Sequence, residues 1–382
     1  MKNEELLKKI AGLSSEQKEM LLKKIGYSTG KAGEEASKPV PAKPVDWDCF
    51  SCSMGNPGSL NISFEEAKVA DPQEGYLQVR AKAASLNYRD LMIAMGQYPE
   101  SPGVPSNMGS DYSGVVTRVG KGVDGIREGD EVIALSAGTF IDGKVQPGSH
   151  FINVFNVSEL QLVPKPPGLS FADAAAIPTV FHTAFSALVR LANIAGGESV
   201  LIHTATGGVG LAAIEIARWK KAEIYATAGS PEKREFLKQK GIVHPMDSRS
   251  LSFGDEIMEL TGGRGVDVLL NTLSGDAMMK GIEILAPFGR FIQLDKKDIA
   301  SNTLLPMTLF RKGITFAVLD ISLYLLRPAK LKEQLMEITR LFNEGVFKPL
   351  PCVTYPVGDL KEALTAMSRS KHIGKLVLIY PC

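Results

Sequence analysis

The stretch Ser199–Gly210, SVLIHTATGGVG, constrains the fold of this chain more than any other segment, because LAAIEIARWKKA follows at once. A short apolar run, closely spaced glycines and then an amphipathic helix form a strand–turn–helix unit that cradles a pyrophosphate. The glycines let the backbone approach the ligand, and the N–H groups and dipole of the helix N-terminus favour an anion. A phosphorylated cofactor at this point predicts an enzyme, and other residues must say which one.

The rhythm of the chain changes on either side of this unit. From about residue 58 to 165 short apolar runs such as YLQVRAKAAS, DYSGVVTRVG, DEVIALS, HFINVF and LQLVPKP are broken by Gly, Pro and Asp. They predict an antiparallel, barrel-like β domain. From about 171, SVLIH, AEIYATA, VDVLLNTL, GRFIQL and ITFAVLD alternate with helical segments, the pattern of a doubly wound parallel sheet. From about 326 the order is helix, strand, helix, strand, ending in KLVLIYP. Residues 3–26 carry two short amphipathic helical patterns, and 27–45, rich in Gly, Ala, Pro and charge, read as a linker. Such a tethered pair fits a unit attached to a larger assembly and equally a frayed extension. At 382 residues the chain suits two domains of roughly 100–200 residues each.

The nucleotide motif is Ala205-x-Gly207-x-x-Gly210, with Thr206, Gly208 and Val209 completing the turn. The second strand ends at Ala228-Gly229, about 20 residues beyond the glycines, where an NAD enzyme places Asp or Glu on the ribose 2′-OH. Here the residues are Ser230, Lys233 and Arg234, a hydroxyl and two cations that suit a 2′-phosphate, so NADPH is the expected cofactor. A solvated helix face is the other reading of those charges, and Glu232 weakens the cationic pattern.

Other chemistries lack their residues. The five histidines, at 150, 182, 203, 244 and 372, have no metal-ligand spacing, and Cys49-x-x-Cys52 has no second pair. No metal site is therefore expected, and no GxSxG or Cys–His arrangement argues for acyl transfer. A net charge of +1 gives no reason to expect a nucleic-acid partner, and no apolar run approaches the ~18 residues of a membrane span. Four cysteines in this length, and an N-terminus without an apolar signal region, make the cytoplasm the expected compartment.

Several motifs in combination resemble the medium-chain dehydrogenase/reductase superfamily, its zinc-free branch, and specifically the enoylreductase domains of polyketide synthases. They are Leu86-Asn87-Tyr88-Arg89-Asp90, Gly96-Gln97-Tyr98-Pro99, Gly109-Ser110-Asp111-Tyr112-Ser113-Gly114, Ile177-Pro178-Thr179 and His203–Gly210. Gly265-Val266-Asp267, Asn271-Thr272-Leu273, Gly289-Arg290-Phe291, Lys296-Lys297-Asp298 and Lys371-His372-Ile373-Gly374-Lys375 continue the set, which covers about 50–382. Asp295, His182 and Tyr88 depart from the family's usual Gly, apolar residue and Phe.

The resemblance implies a Rossmann doubly wound parallel sheet inserted in a GroES-like β-barrel substrate domain. The corresponding divisions are 1–45 (helices and linker), 46–178 (substrate domain), 179–325 (NADP domain) and 326–382 (return to the substrate domain). It also implies NADPH and an α,β-unsaturated thioester on the phosphopantetheine arm of an acyl carrier protein, within a synthase whose other domains are neighbours. Hydride goes to Cβ and a proton to Cα. Tyr98 follows the family's position for proton delivery and methyl configuration, Lys296 its proton-donor position, and Asp320 its acidic partner. A packed aromatic, a solvated lysine and a capping aspartate are the respective structural alternatives. Asn87, Thr183, Asn271, Leu273 and Gly374 match cofactor contacts, and Lys375 the cation expected at the phosphates. Three rivals stand beside enoyl reduction: reductive ring closure by loss of a γ-leaving group, a free-standing quinone or 2-alkenal reductase, and a non-catalytic NADPH-binding protein.

Overall fold

In the computed structural model of this chain the described residues are 48–381, apart from 56–57, 59, 99–106, 137–139, 142–143 and 146–149. The helices expected at 3–26 and the linker at 27–45 lie outside them.

Two sheets organise the protein. The first has seven strands: β3 (Tyr76–Ser85), β4 (Asp111–Val119), β5 (Glu131–Leu135), β8 (Val154–Ser158), β9 (Leu162–Pro164), β16 (Cys352–Pro356) and β17 (Lys375–Ile379). Their order is β16-β17-β3-β4-β5-β9, with β8 also on β3, and every pairing is antiparallel except β16–β17. The C-terminal strand thus lies beside a strand from the first quarter of the chain. Two small hairpins, β1 (Phe50–Met54) with β2 (Ile62–Glu66) and β6 (Phe140–Ile141) with β7 (Lys144–Val145), accompany this sheet.

The second sheet has six strands: β10 (Ser199–Ile202), β11 (Glu223–Ala228), β12 (Pro245–Asp247), β13 (Val266–Asn271), β14 (Leu285–Gln293) and β15 (Thr315–Val318). The order β12-β11-β10-β13-β14-β15 is wholly parallel. Counted along this sheet it is the doubly wound order 3-2-1-4-5-6, whose ligand crevice lies outside the carboxyl ends of the strands. Both faces are covered, so the strands are continuous apolar runs whose side chains alternate between two cores. Val200, Ile202, Val268, Leu270 and Ile292 enter one cluster, while Leu201, Leu269 and Phe291 enter the other with Phe253, Ile257 and Met278. The first cluster also takes in Ile133, Leu135 and Val163 of the seven-stranded sheet, together with Val180, Phe181 and Leu188. One apolar core therefore runs through both lobes.

Two helices position the site. Helix α1 (Tyr88–Ala94) is held by a capping box in which Asp90 accepts from the Asn87 N–H at 2.7 Å. Helix α2 (Pro178–Phe185) starts with Pro178, whose missing N–H costs nothing in the first turn, and runs into a π-turn at Ser186–Leu191. Helix α3 (Gly208–Trp219) follows β10 and buries Leu211, Ala212, Ala213, Ile214, Ile216 and Ala217 on the sheet.

Candidate active site

The turn between β10 and α3 is built for close backbone approach. A Cβ on Gly210 would sit 2.5 Å from the Ala205 Cα, so only glycine lets the helix start this near the strand. Gly207, the N-cap, offers no side-chain bond and the first turn has no acid, which leaves the N–H groups of Gly208, Val209 and Gly210 without a capping side chain. Those residues are partly exposed at Gly207–Val209 and fit the phosphates of a dinucleotide. The loop is also tied to the chain's C-terminal motif, since the Gly374 N–H donates to the Thr206 carbonyl at 2.9 Å. Gly374 has φ +78°, and a Cβ there would lie 1.9 Å from the Pro351 carbonyl oxygen.

A buried polar seam lies behind the loop. The Lys375 ammonium donates to the Leu86 carbonyl and to Asn87 Oδ1, each at 2.6 Å, and stands 3.9 Å from Asp111 Oδ2. The Lys375 and Asp111 side chains are 4% and 0% exposed. Asn87 Nδ2 donates to Asp111 Oδ2 at 3.0 Å, and the Thr179 N–H and Oγ1 donate to Asp111 Oδ1 at 3.2 and 2.5 Å. Thr183, one turn further along α2, donates from Oγ1 to the Thr179 carbonyl at 2.7 Å. Burial lowers the Lys375 pKa, opposed by Asp111; burial likewise raises that of Asp111, opposed by Lys375 and its hydrogen bonds. The expected phosphate cation therefore has its ammonium inside the seam, with its aliphatic stem against the loop: a Cβ on Gly208 would fall 2.6 Å from the Lys375 Cδ.

At the carboxyl ends of the neighbouring strands β14 and β15 the three candidate catalytic residues meet. Lys296 Nζ donates to Asp320 Oδ2 at 2.6 Å and to Tyr98 Oη at 2.8 Å, and lies 4.8 Å from the centre of the Tyr98 ring. Arg89, from α1, places its guanidinium 5.2 Å from the same ring. Asp320 Oδ1 accepts from the Ser322 N–H at 3.0 Å and hydroxyl at 2.6 Å, so the aspartate is both a cap and the lysine's partner. Burial pushes the Asp320 carboxyl up, but the bonds from Lys296 and Ser322 outweigh it and hold the group below its ordinary value. The Tyr98 oxygen accepts from a cation, which directs its own proton away from Lys296 and strengthens it as a donor. Such a cationic, partly buried donor set suits an acid beside a developing enolate. Asp295, the departure next to this lysine, accepts from the Lys297 N–H at 3.0 Å.

At the far end of the crevice Ser230 caps the helix Pro231–Gln239 through its Oγ. Lys233 Nζ donates to the Ser370 carbonyl at 2.8 Å, and Arg234 pairs with Asp247 at 3.1 Å and donates to the Ala228 carbonyl at 3.2 Å. Sequence reasoning missed Arg249. Its Nε is 3.1 Å from where a Cβ on Gly229 would be, and burial together with Arg249 lowers the Lys233 pKa. No local spacing announces it; the pairing of the three-residue strand β12 with β11 brings it there. Asn271, fully buried at the end of β13, donates to the Leu273 carbonyl and to Gln293 Oε1, each at 2.6 Å, and accepts from the Leu273 N–H. Asp111 and Thr179 have no role of their own in the sequence motifs, although an aspartate opening an apolar strand is itself a signal.

His182 and His203 are fully buried; burial lowers their pKa values to about 4 and about 3. Among the described residues no three His, Cys, Asp or Glu side chains cluster as a metal site, and no helix is long and apolar enough to cross a membrane.

Comparison with known proteins agrees with this architecture. Residues 73–165 match the family described as the alcohol dehydrogenase GroES-like domain, and 208–337 match that described as zinc-binding dehydrogenase. The chain is 39% identical over 336 residues to a highly reducing polyketide synthase of Aspergillus terreus (strain NIH 2624 / FGSC A1156). That match covers 85% of this chain but only 12% of the synthase. Among solved structures, the CurF ER cyclopropanase from the curacin A biosynthetic pathway aligns with TM-score 0.78 and 32% identity over 87% of this chain and 99% of that one. The CurK enoyl reductase aligns with TM-score 0.77 and 33% identity over the same shares. With its GroES-like lobe, its parallel Rossmann sheet and these relatives, the chain belongs to the medium-chain dehydrogenase/reductase family, as an enoylreductase domain.

Proposed function

We propose that this chain reduces an α,β-unsaturated thioester with NADPH, the acyl group being carried on the phosphopantetheine arm of an acyl carrier protein during polyketide assembly. The observation that carries the reading is the hydrogen-bonded set Tyr98–Lys296–Asp320 at the carboxyl ends of β14 and β15. The divisions 46–178, 179–325 and 326–382 serve as substrate lobe, cofactor lobe and return. Free thiols at Cys49, Cys52 and Cys352 accord with a cytoplasmic setting.

The residues present fit the cofactor. Thr206–Gly210 would hold the pyrophosphate, Ser230 with Lys233 and Arg249 the 2′-phosphate, and Asn87, Thr183, Asn271, Leu273 and Gly374 the nicotinamide half and its ribose. Arg234, engaged by Asp247, would supply charge at longer range. When bound, the cofactor supplies a hydride to Cβ of the substrate. Lys296 and Tyr98 stabilise the charge that develops towards the thioester oxygen and deliver the proton to Cα. Asp320 fixes the lysine, and Ser322 fixes the aspartate.

The likeness to the CurF cyclopropanase supports a second reading. With a halide at Cγ of the substrate, the electron pair left at Cα by hydride addition would close a Cα–Cγ bond and expel halide in place of taking a proton. Incubation with NADPH and either a crotonyl or a γ-halogenated crotonyl carrier thioester tests both. The first reading predicts the saturated chain from each; ring product from the halogenated substrate favours the second. Reduction of a simple quinone with no thioester product would contradict both.

A further inference from the structure

We infer that Asp111 and Lys375 form a buried positioning pair that seats helix α2 and the phosphate loop against the substrate lobe, and that neither touches the coenzyme. The inference deepens the proposed function and rests on that reading for the identity of the ligand. The Lys375 stem occupies the space above Gly208, within 2.6 Å of a Cβ built there, and its ammonium ends on Leu86 and Asn87. Asp111 holds the first turn of α2 through both donors of Thr179, and Thr179 in turn receives the hydroxyl of Thr183. The Lys375 stem thus packs on the loop at Gly208, and from its ammonium a continuous set of hydrogen bonds runs through Asn87, the buried Asp111 and Thr179 to Thr183, the side chain expected beside the nicotinamide. Apolar residues of similar volume would fill such a place at lower desolvation cost, so a buried pair retained here acts through the geometry it fixes. Asn87, the first residue of the α1 capping box, lies between the charges and links the set to the Tyr98 side of the cleft.

Thr179→Val tests the chain of bonds, since it removes one donor to Asp111 and leaves the N–H. D111N/K375M removes both charges together, so that neither is left buried alone. Three quantities are read in parallel: thermal midpoint, NADPH affinity by fluorescence titration, and single-turnover oxidation of NADPH at saturation with a crotonyl pantetheine thioester. T179V is expected to keep its midpoint within a few degrees and to lose about tenfold in turnover rate, the effect of one hydrogen bond to a charged group. T179S, which restores the hydroxyl, is expected to recover most of that rate. D111N/K375M is expected to fold and to lose tenfold or more in rate at saturation. Folded variants with wild-type affinity and rate would overturn the inference. So would K375M losing affinity for 2′,5′-ADP with an unchanged saturated rate, the mark of a direct phosphate contact. Wild-type protein that binds NADPH but reduces no thioester would refute the proposed function alone. The affinity of T179V for NADPH, with Lys375 in place, would then decide the pair: a tenfold loss upholds it, a wild-type value overturns it.

Discussion

Replacing Asp320 by Asn asks whether the aspartate acts through Lys296. The two groups meet at 2.6 Å, with side chains 17% and 24% exposed. Coulomb's law at an effective dielectric of about 20 gives roughly 6 kcal/mol for unit charges at that distance, a gross figure that water at the partly open site reduces. A hydrogen bond between charged partners contributes about 1.5–3 kcal/mol net, so a value near 2 kcal/mol is reasonable, or roughly 30-fold in rate. D320N is therefore expected to slow single-turnover oxidation of NADPH by about that factor, with little change in NADPH affinity. K296M should cost more, in the ~10²–10⁴ range of a lost general acid. K296M/D320N should be no slower than K296M alone, because the aspartate has no target once the amine is gone. Multiplicative losses in the double variant would refute the coupling, and K296M turnover within threefold of wild type would refute the role of the lysine.

Three further outcomes follow from the geometry. K233A/R249A is expected to raise the KM for NADPH at least tenfold through loss of two cations at one phosphate, and to leave that for NADH unchanged; steady-state kinetics with both cofactors checks it. Gly374→Ala, with its Cβ 1.9 Å from a carbonyl and φ +78°, should destabilise by several kcal/mol, whereas Gly358→Ala, with nothing within 4 Å, should stay within about 0.5 kcal/mol in denaturant unfolding. His182, His203 and His150 are buried with pKa values lowered to about 4, 3 and 4, so the unfolded chain binds more protons below the ordinary value of 6.5. Stability should fall as pH drops from about 6.5 towards 4, by up to 1.4 kcal/mol per pH unit for each histidine, and H182F should flatten that dependence in thermal melts.

What the sequence disclosed was local. The strand–glycine turn–helix unit could be read because Gly207, Gly208 and Gly210 sit between an apolar run and an amphipathic one, and the parallel sheet because fully buried strands are unbroken apolar runs. The Lys296–Asp320 meeting was approachable as well, since both residues follow consecutive parallel strands. The seam was not. Lys375 reaches Asn87 across 288 residues of chain, and no spacing rule distinguishes a lysine bound for the core from one bound for a phosphate. Arg249 escaped for a related reason, as a three-residue strand has too little periodicity to read and its neighbour is set by the sheet. The fate of His182 depended on burial: it packs edge-on against Tyr324 with ring centres 4.6 Å apart, in an apolar setting that the adjacent Phe181 and Thr183 did not announce.

The central claim is that hydride and proton reach different carbons of one thioester, the proton by way of Tyr98 and Lys296. Mass and NMR analysis of the product formed from a crotonyl carrier thioester, once with NADPH deuterated at C4 and once in deuterated water, tests it most directly. The account predicts one deuterium at Cβ in the first case and one at Cα, of a single configuration, in the second. Deuterium from the cofactor at Cα, or solvent label at Cα of wild-type configuration and rate in Y98F/K296M, would contradict it.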